Sequence, residues 1–121
     1  MLRVQPLVLS LVVSCASAAF AQTEISTTEA KKHIGESRTV CGDVVSAHYA
    51  ARTHSNPTFL NLDKAYPNQV FTVLIWGNDR SRFGVPEQSF ANKRICITGK
   101  ISSYRGIPEI VAHETSQIKL Q

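Results

Sequence analysis

Residues 58–76 read TFLNLDKAYPNQVFTVLIW. Two short runs in this stretch, Thr58–Leu62 and Val70–Trp76, are rich in aromatic, β-branched and aliphatic residues, and the segment between them is polar and carries Pro67-Asn68. That pattern predicts two strands joined by a loop. In the first strand period-2 alternation turns Leu60 and Leu62 inward and Phe59 and Asn61 outward. Both faces of the second strand are apolar. With Phe71, Val73 and Ile75 inside, Thr72, Leu74 and Trp76 face out. Two adjacent strands presenting aromatic, amide and basic side chains form a binding face rather than a catalytic centre.

Working outward, Arg38–Tyr49, Arg94–Ser103 and Glu109–Lys119 also read as strands, which brings the count to five. Gly77 to Asn92 contains Gly84, Val85 and Pro86, which forbid a long helix and leave room for a turn or two around Glu87 to Phe90. Tyr104-Arg105-Gly106-Ile107-Pro108 reads as a turn. Ser26 to Gly35 reads as a short helix, with Ser or Thr to cap its start and Gly35 to end it. Gly42 and Gly99 fall in the first and fourth strands, where a small barrel must bend. The order predicts an all-β fold with a short N-terminal helix: a five-stranded Greek-key barrel, the OB-fold, in which the first strand lies beside the fourth.

The N-terminus reads differently. Arg3, the apolar run from Leu7 to Val13 and Ala19-Phe20-Ala21 have the form of a cleaved export signal over residues 1–21. Val12-Val13-Ser14-Cys15 offers a competing lipobox reading, with Cys15 acylated as the first mature residue. The apolar run is too short to span a bilayer as a helix, and no later segment is long or apolar enough. The expected organisation is a signal over 1–21, an extension with the short helix over 22–36, and one OB-fold domain over 37–121. It should be periplasmic or secreted and act as a monomer. Of the 13 Lys+Arg and 9 Asp+Glu, only Arg3 lies within 1–21, which leaves twelve basic against nine acidic residues, a net charge of +3. This mild surplus permits polyanion binding without demanding it.

Cys41 and Cys96 sit in matching strand contexts, Val40-Cys41-Gly42-Asp43-Val44 and Ile95-Cys96-Ile97-Thr98-Gly99. If Val40, Gly42 and Val44 face inward, as do Ile95, Ile97 and Ile101, both cysteines lie on the outer faces of neighbouring strands. In an oxidising compartment they form a disulfide; otherwise they are two free thiols. No C-x-x-C spacing marks a redox role.

The segments Val40–Val44, Thr58–Asp63, Phe71–Trp76, Ile97–Ile101 and Tyr104–Ile110 together resemble small exported bacterial OB-fold proteins related to tRNA-anticodon-like nucleic-acid-binding domains. The likeness spans nearly all of 22–121 and rests on the spacing of G-x-V, FLNL, IW and TGxI. It implies single-stranded nucleic acid as the ligand class. On the usual OB surface, the second and third strands form the platform, and the loops from strand one to two and from four to five form the walls. The candidate ligand-binding residues are then Phe59, Asn61 and Trp76 on the platform, Tyr49, Arg52 and His54 on one wall, Tyr104 and Arg105 on the other, and Lys64 and Tyr66 nearby. Aromatic planes stack bases and cations track phosphates.

Hydrolytic chemistry needs clustered acids, a nucleophile with its base, or a metal site. Asp43, Asp63, Asp79, Glu87, Glu109 and Glu114 are dispersed, and His33, His48, His54 and His113 lack zinc-site spacing. The sequence therefore predicts a binding protein with no catalytic residues, cofactor or metal. Glu109 is expected to pair with Arg94 or Arg105, and Arg80 and Arg82 to form local ion pairs with Asp79. The competing functional reading is an envelope or stress accessory module that binds a protein, a glycan or a small cationic ligand through the same face.

Overall fold

The computed structural model describes residues 2–13 and 23–121. Cys15 and the cleavage site expected after Ala21 lie outside the described residues. Residues 2–13 form neither helix nor strand. The chain then runs through β1 (Glu24–Ser26), β2 (Ser37–Tyr49), β3 (Thr58–Leu62), β4 (Phe71–Ile75), two one-turn helices α1 (Gly77–Arg80) and α2 (Pro86–Ser89), β5 (Arg94–Tyr104), β6 (Ile107–Val111) and β7 (Ile118–Leu120).

β2 organises the barrel because it is long enough to serve two partners. Ser37–Asp43 pair antiparallel with β5, and Val44–Tyr49 pair antiparallel with β3. β3 pairs with β4, β4 runs parallel to β6, and β6 returns to β5. The circuit β2-β3-β4-β6-β5-β2 is closed, so no strand within it presents a bare edge. This is the all-β, five-stranded OB-like barrel predicted from the strand pattern. β1 and β7 extend it outside the circuit, against β2 and β5.

The alternation expected in each strand fills the interior. Leu60, Leu62, Phe71, Val73, Ile75 and Ile110 are fully buried, and each such side chain contributes about 1.5–3 kcal/mol on leaving water. Phe83, from the segment between β4 and β5, joins the same core. Cys41 and Cys96 face each other in register across β2 and β5, with Cα atoms 4.1 Å apart, and are joined by a disulfide. They lie on the outer face yet are buried, because each is also flanked by β1 or β7.

Two elements are shorter than expected. The helix read over 26–35 is a single 3-10 turn at Ala30–Lys32. The Ser26 hydroxyl does accept the Glu29 N–H, at 3.3 Å, but residues 24–26 are drawn into pairing with β2 and Gly35 ends the turn at φ 90°. The strand read over 109–119 breaks after Val111. Gln117 causes the break: its Oε1 accepts the N–H groups of His113 (2.7 Å) and Glu114 (2.9 Å), while its Nε2 donates to the carbonyls of Thr98 (3.1 Å) and Val111 (3.2 Å). The side chain thereby replaces ladder hydrogen bonds, and a 3-10 turn at Thr115–Gln117 redirects the chain into β7.

Candidate functional site

The outer faces of β3 and β4 form the floor of a groove. A lobe of 660 Å³ is lined by residues of β2, β3, the 63–70 loop, β4 and the β5–β6 hairpin. A second lobe of 340 Å³ shares Ala50, Phe59, Tyr104 and Glu109 with it, so the two are parts of one groove. The larger lobe is of the size that takes small organic groups.

Several hydrogen bonds set its shape. The Thr72 hydroxyl donates to Asn61 Oδ1 at 3.1 Å, and Asn61 Nδ2 donates to Ser46 Oγ at 3.0 Å. Ser46 Oγ also accepts the Tyr66 N–H at 3.1 Å, which ties the 63–70 loop to β2. On the other side, the Gly77 N–H donates to the Ser55 carbonyl at 3.0 Å and holds the β2–β3 loop against the end of β4. The β5–β6 wall is a two-residue hairpin with φ 49° at Arg105 and φ 80° at Gly106. Positive φ at both central residues gives the turn type whose twist matches the flanking strands, and glycine at the second position removes the steric cost.

The candidate residues separate by position. Phe59, Asn61, Tyr66, Tyr104 and Arg105 line the larger lobe; His54 and Trp76 line the smaller, with Phe59 and Tyr104 common to both. Tyr66 is 73% exposed, Tyr104 58% and Trp76 40%, so all three keep ring area free for a ligand. The Arg105 guanidinium lies 5.3 Å from the Tyr104 ring centroid. Asn61 is only 3% exposed and its amide is committed to Ser46 and Thr72, which makes it a brace of the floor.

Tyr49, Arg52 and Lys64 line neither lobe. Arg52 and Lys64 are exposed in loops beyond the groove. Tyr49 is turned away by the bulge between Val44 and Ser46. One extra residue inverts the in–out alternation, so Ser46 and His48 face the groove while Tyr49 meets the Arg80 guanidinium, 3.7 Å from its ring centroid. Arg80 also pairs with Glu87. Arg82 reaches Asp79 at 3.2 Å and Glu114 at 3.1 Å. The ion pair with Asp79 expected of Arg82 is thus present, whereas Arg80 turns to Glu87.

Ser46, His48, Gln69, Thr72, Ile107 and Glu109 also line the groove and were not among the candidates. The one cue in the sequence is Val44-Val45, two apolar residues in succession where strict alternation would place one; Val45 is the exposed member. The pairing expected of Glu109 is not made. Arg94 instead lies 3.7 Å from Asp43 and donates from Nε to Gln121 at 2.8 Å. The Glu109 carboxylate has neither an ion pair nor a hydrogen bond among the described residues, and burial raises its carboxyl above the ordinary value.

No protein-family model matches this chain, and no curated protein does. Among solved structures, its fold is similar to that of a chain from Leishmania major Friedlin described as an aspartyl-tRNA synthetase, with a TM-score of 0.52 and 10% identity over 87% of this chain. The match takes up 22% of that protein. The likeness therefore concerns the barrel alone, and the chain is an OB-like barrel with an open groove over β3 and β4. Among the described residues no helix is long and apolar enough to cross a membrane.

Proposed function

We propose that this chain is an exported bacterial OB-fold module, non-catalytic, that binds single-stranded nucleic acid in the groove over β3 and β4. The observation that carries the reading is the set of three exposed aromatic rings, Tyr66, Trp76 and Tyr104, around one groove, with Arg105 at its rim. Stacking on such planes contributes roughly 1–3 kcal/mol per base and tolerates any sequence, while rim cations follow the backbone. The fold shared with a protein described as an aspartyl-tRNA synthetase supports the same ligand class. The Cys41–Cys96 disulfide supports an oxidising compartment.

The test is a titration of a labelled single-stranded oligonucleotide at increasing salt. Counterion release gives a log–log slope of about −0.7 per phosphate contacted. Arg105→Asn removes the charge and keeps a residue that accepts positive φ in this turn; it should weaken binding and flatten the slope by about 0.7. Absence of binding at low salt would end this reading. A second reading, a small cationic ligand, is favoured by the unpaired carboxylate of Glu109; saturable binding of spermidine by a protein that ignores oligonucleotides would establish it instead.

A further inference from the structure

Glu109 places an acid where a phosphate-binding groove would be expected to be neutral or basic. It sits on β6, in register with Thr72 of the parallel strand β4 and Ser102 of β5, and it lines both lobes. The groove around it carries Phe59, Leu74, Trp76, Tyr104 and Ile107 as well as His48, Thr72 and Arg105, yet among the described residues no polar side chain forms an ion pair or hydrogen bond with its carboxylate. A half-buried carboxylate that no protein donor engages keeps its acceptor capacity for a ligand. The group that matches it is an N–H donor supplied by that ligand.

This restricts how a nucleic acid can lie. Like-charge repulsion keeps phosphates off the floor, so the backbone runs along the rim past Arg105, and the bases turn inward between the aromatic rings. We infer that Glu109 reads the Watson–Crick edge of one inserted base and selects guanine. Guanine presents N1–H and the N2 amino group side by side, which matches the two oxygens of a carboxylate in a paired, charge-assisted contact. Cytosine and adenine each offer one amino group beside a ring-nitrogen acceptor. Thymine and uracil flank their single N–H with two carbonyl oxygens, which the carboxylate repels. The order of affinity is therefore guanine first, cytosine and adenine next, thymine and uracil last. The inference rests on the nucleic-acid reading above and adds to it a specificity that stacking does not supply.

Fluorescence anisotropy with labelled oligo-dT carrying a single central dG, dI, dC or dA, beside unsubstituted oligo-dT, tests it directly. The dG oligonucleotide should bind about tenfold or more tightly than oligo-dT, the difference one paired contact makes. Inosine, which lacks the N2 amino group, should fall between them. Glu109→Gln should remove most of the dG preference and raise oligo-dT affinity, since the charge that repels thymine's carbonyl oxygens is gone. Glu109→Asp, which keeps the charge on a shorter stem, should retain part of it, and thermal melts of both variants confirm that they fold. Equal binding of all five oligonucleotides, or a dG preference untouched by Glu109→Gln, would overturn this inference and leave nucleic-acid binding standing. Binding of none of them would overturn both.

Discussion

Replacing both Cys41 and Cys96 by serine should cost this barrel about 4 kcal/mol. The two residues are 55 apart in sequence, and a crosslink closing a loop of that length removes about 14 cal/mol/K of entropy from the unfolded chain, about 4 kcal/mol at 25 °C. A domain of roughly 100 residues has an unfolding entropy of about 0.2 kcal/mol/K near its melting temperature. The loss therefore corresponds to a fall in Tm of about 20 °C. Both cysteines are buried, so a reductant added to folded protein reaches the bond slowly, and the double Cys→Ser variant is the cleaner perturbation. The bond also spans the β2–β5 pairing that closes the circuit of strands. Circular-dichroism melts of the oxidised protein and the double variant, with urea titrations at 25 °C beside them, measure the effect. Agreement of the two melting temperatures to within about 5 °C would refute the reasoning, since 1 kcal/mol moves a domain of this size by about that much.

Three further outcomes follow from other contacts. Gln117→Ala removes four hydrogen bonds that a methyl group cannot replace and should destabilise the fold by about 2–4 kcal/mol in urea unfolding; a loss below 1 kcal/mol would mean that water fills in for the amide. Gly42→Ala would place a Cβ 2.9 Å from Asp63 Oδ2 and 3.0 Å from Thr27 Cγ2, crowding the carboxylate that accepts the Asp43 N–H at 2.8 Å and the Thr27 hydroxyl at 2.6 Å. A cost of about 1–3 kcal/mol is expected from such overpacking, and an unchanged urea midpoint would show that Asp63 can move aside freely. Burial raises the Glu109 carboxyl above its ordinary 4.5, so the folded state holds this proton more tightly than the unfolded chain does. Its stabilising contribution is complete below pH 4.5 and is lost as pH rises through the higher folded value. Melts across that window should show the wild type losing stability relative to Glu109→Gln, and parallel curves would contradict the assignment.

Much of the barrel is legible in the chain because period-2 alternation is a local property of each strand. Leu60, Leu62, Phe71, Val73 and Ile75 face inward as their spacing predicts, and the same alternation puts both cysteines on the outer face, where the observed β2–β5 register sets them opposite each other. The bounds of β3 could be read to the residue, since Pro57 before it and Asp63 after it are local signals too. The segments 26–35 and 109–119 read less well. Their local preferences are overruled by distant partners: β2 for the first, and the Thr98 carbonyl held by Gln117 for the second.

Composition and order alone carried the fold class, the disulfide and the aromatic hairpin turn that flanks the groove, because each follows from alternation or from turn chemistry close along the chain. The groove's membership was settled only in three dimensions. One bulged residue in β2 exchanged Tyr49 for Ser46 and His48, and the parallel pairing of β4 with β6 set Glu109 in the groove beside Thr72, where the ion pair expected for it is not made. A shift of one residue reverses every side chain that follows it in a strand; the doubled Val44-Val45 is the one local trace of that shift, and the local pattern around Glu109 does not foretell its parallel partner.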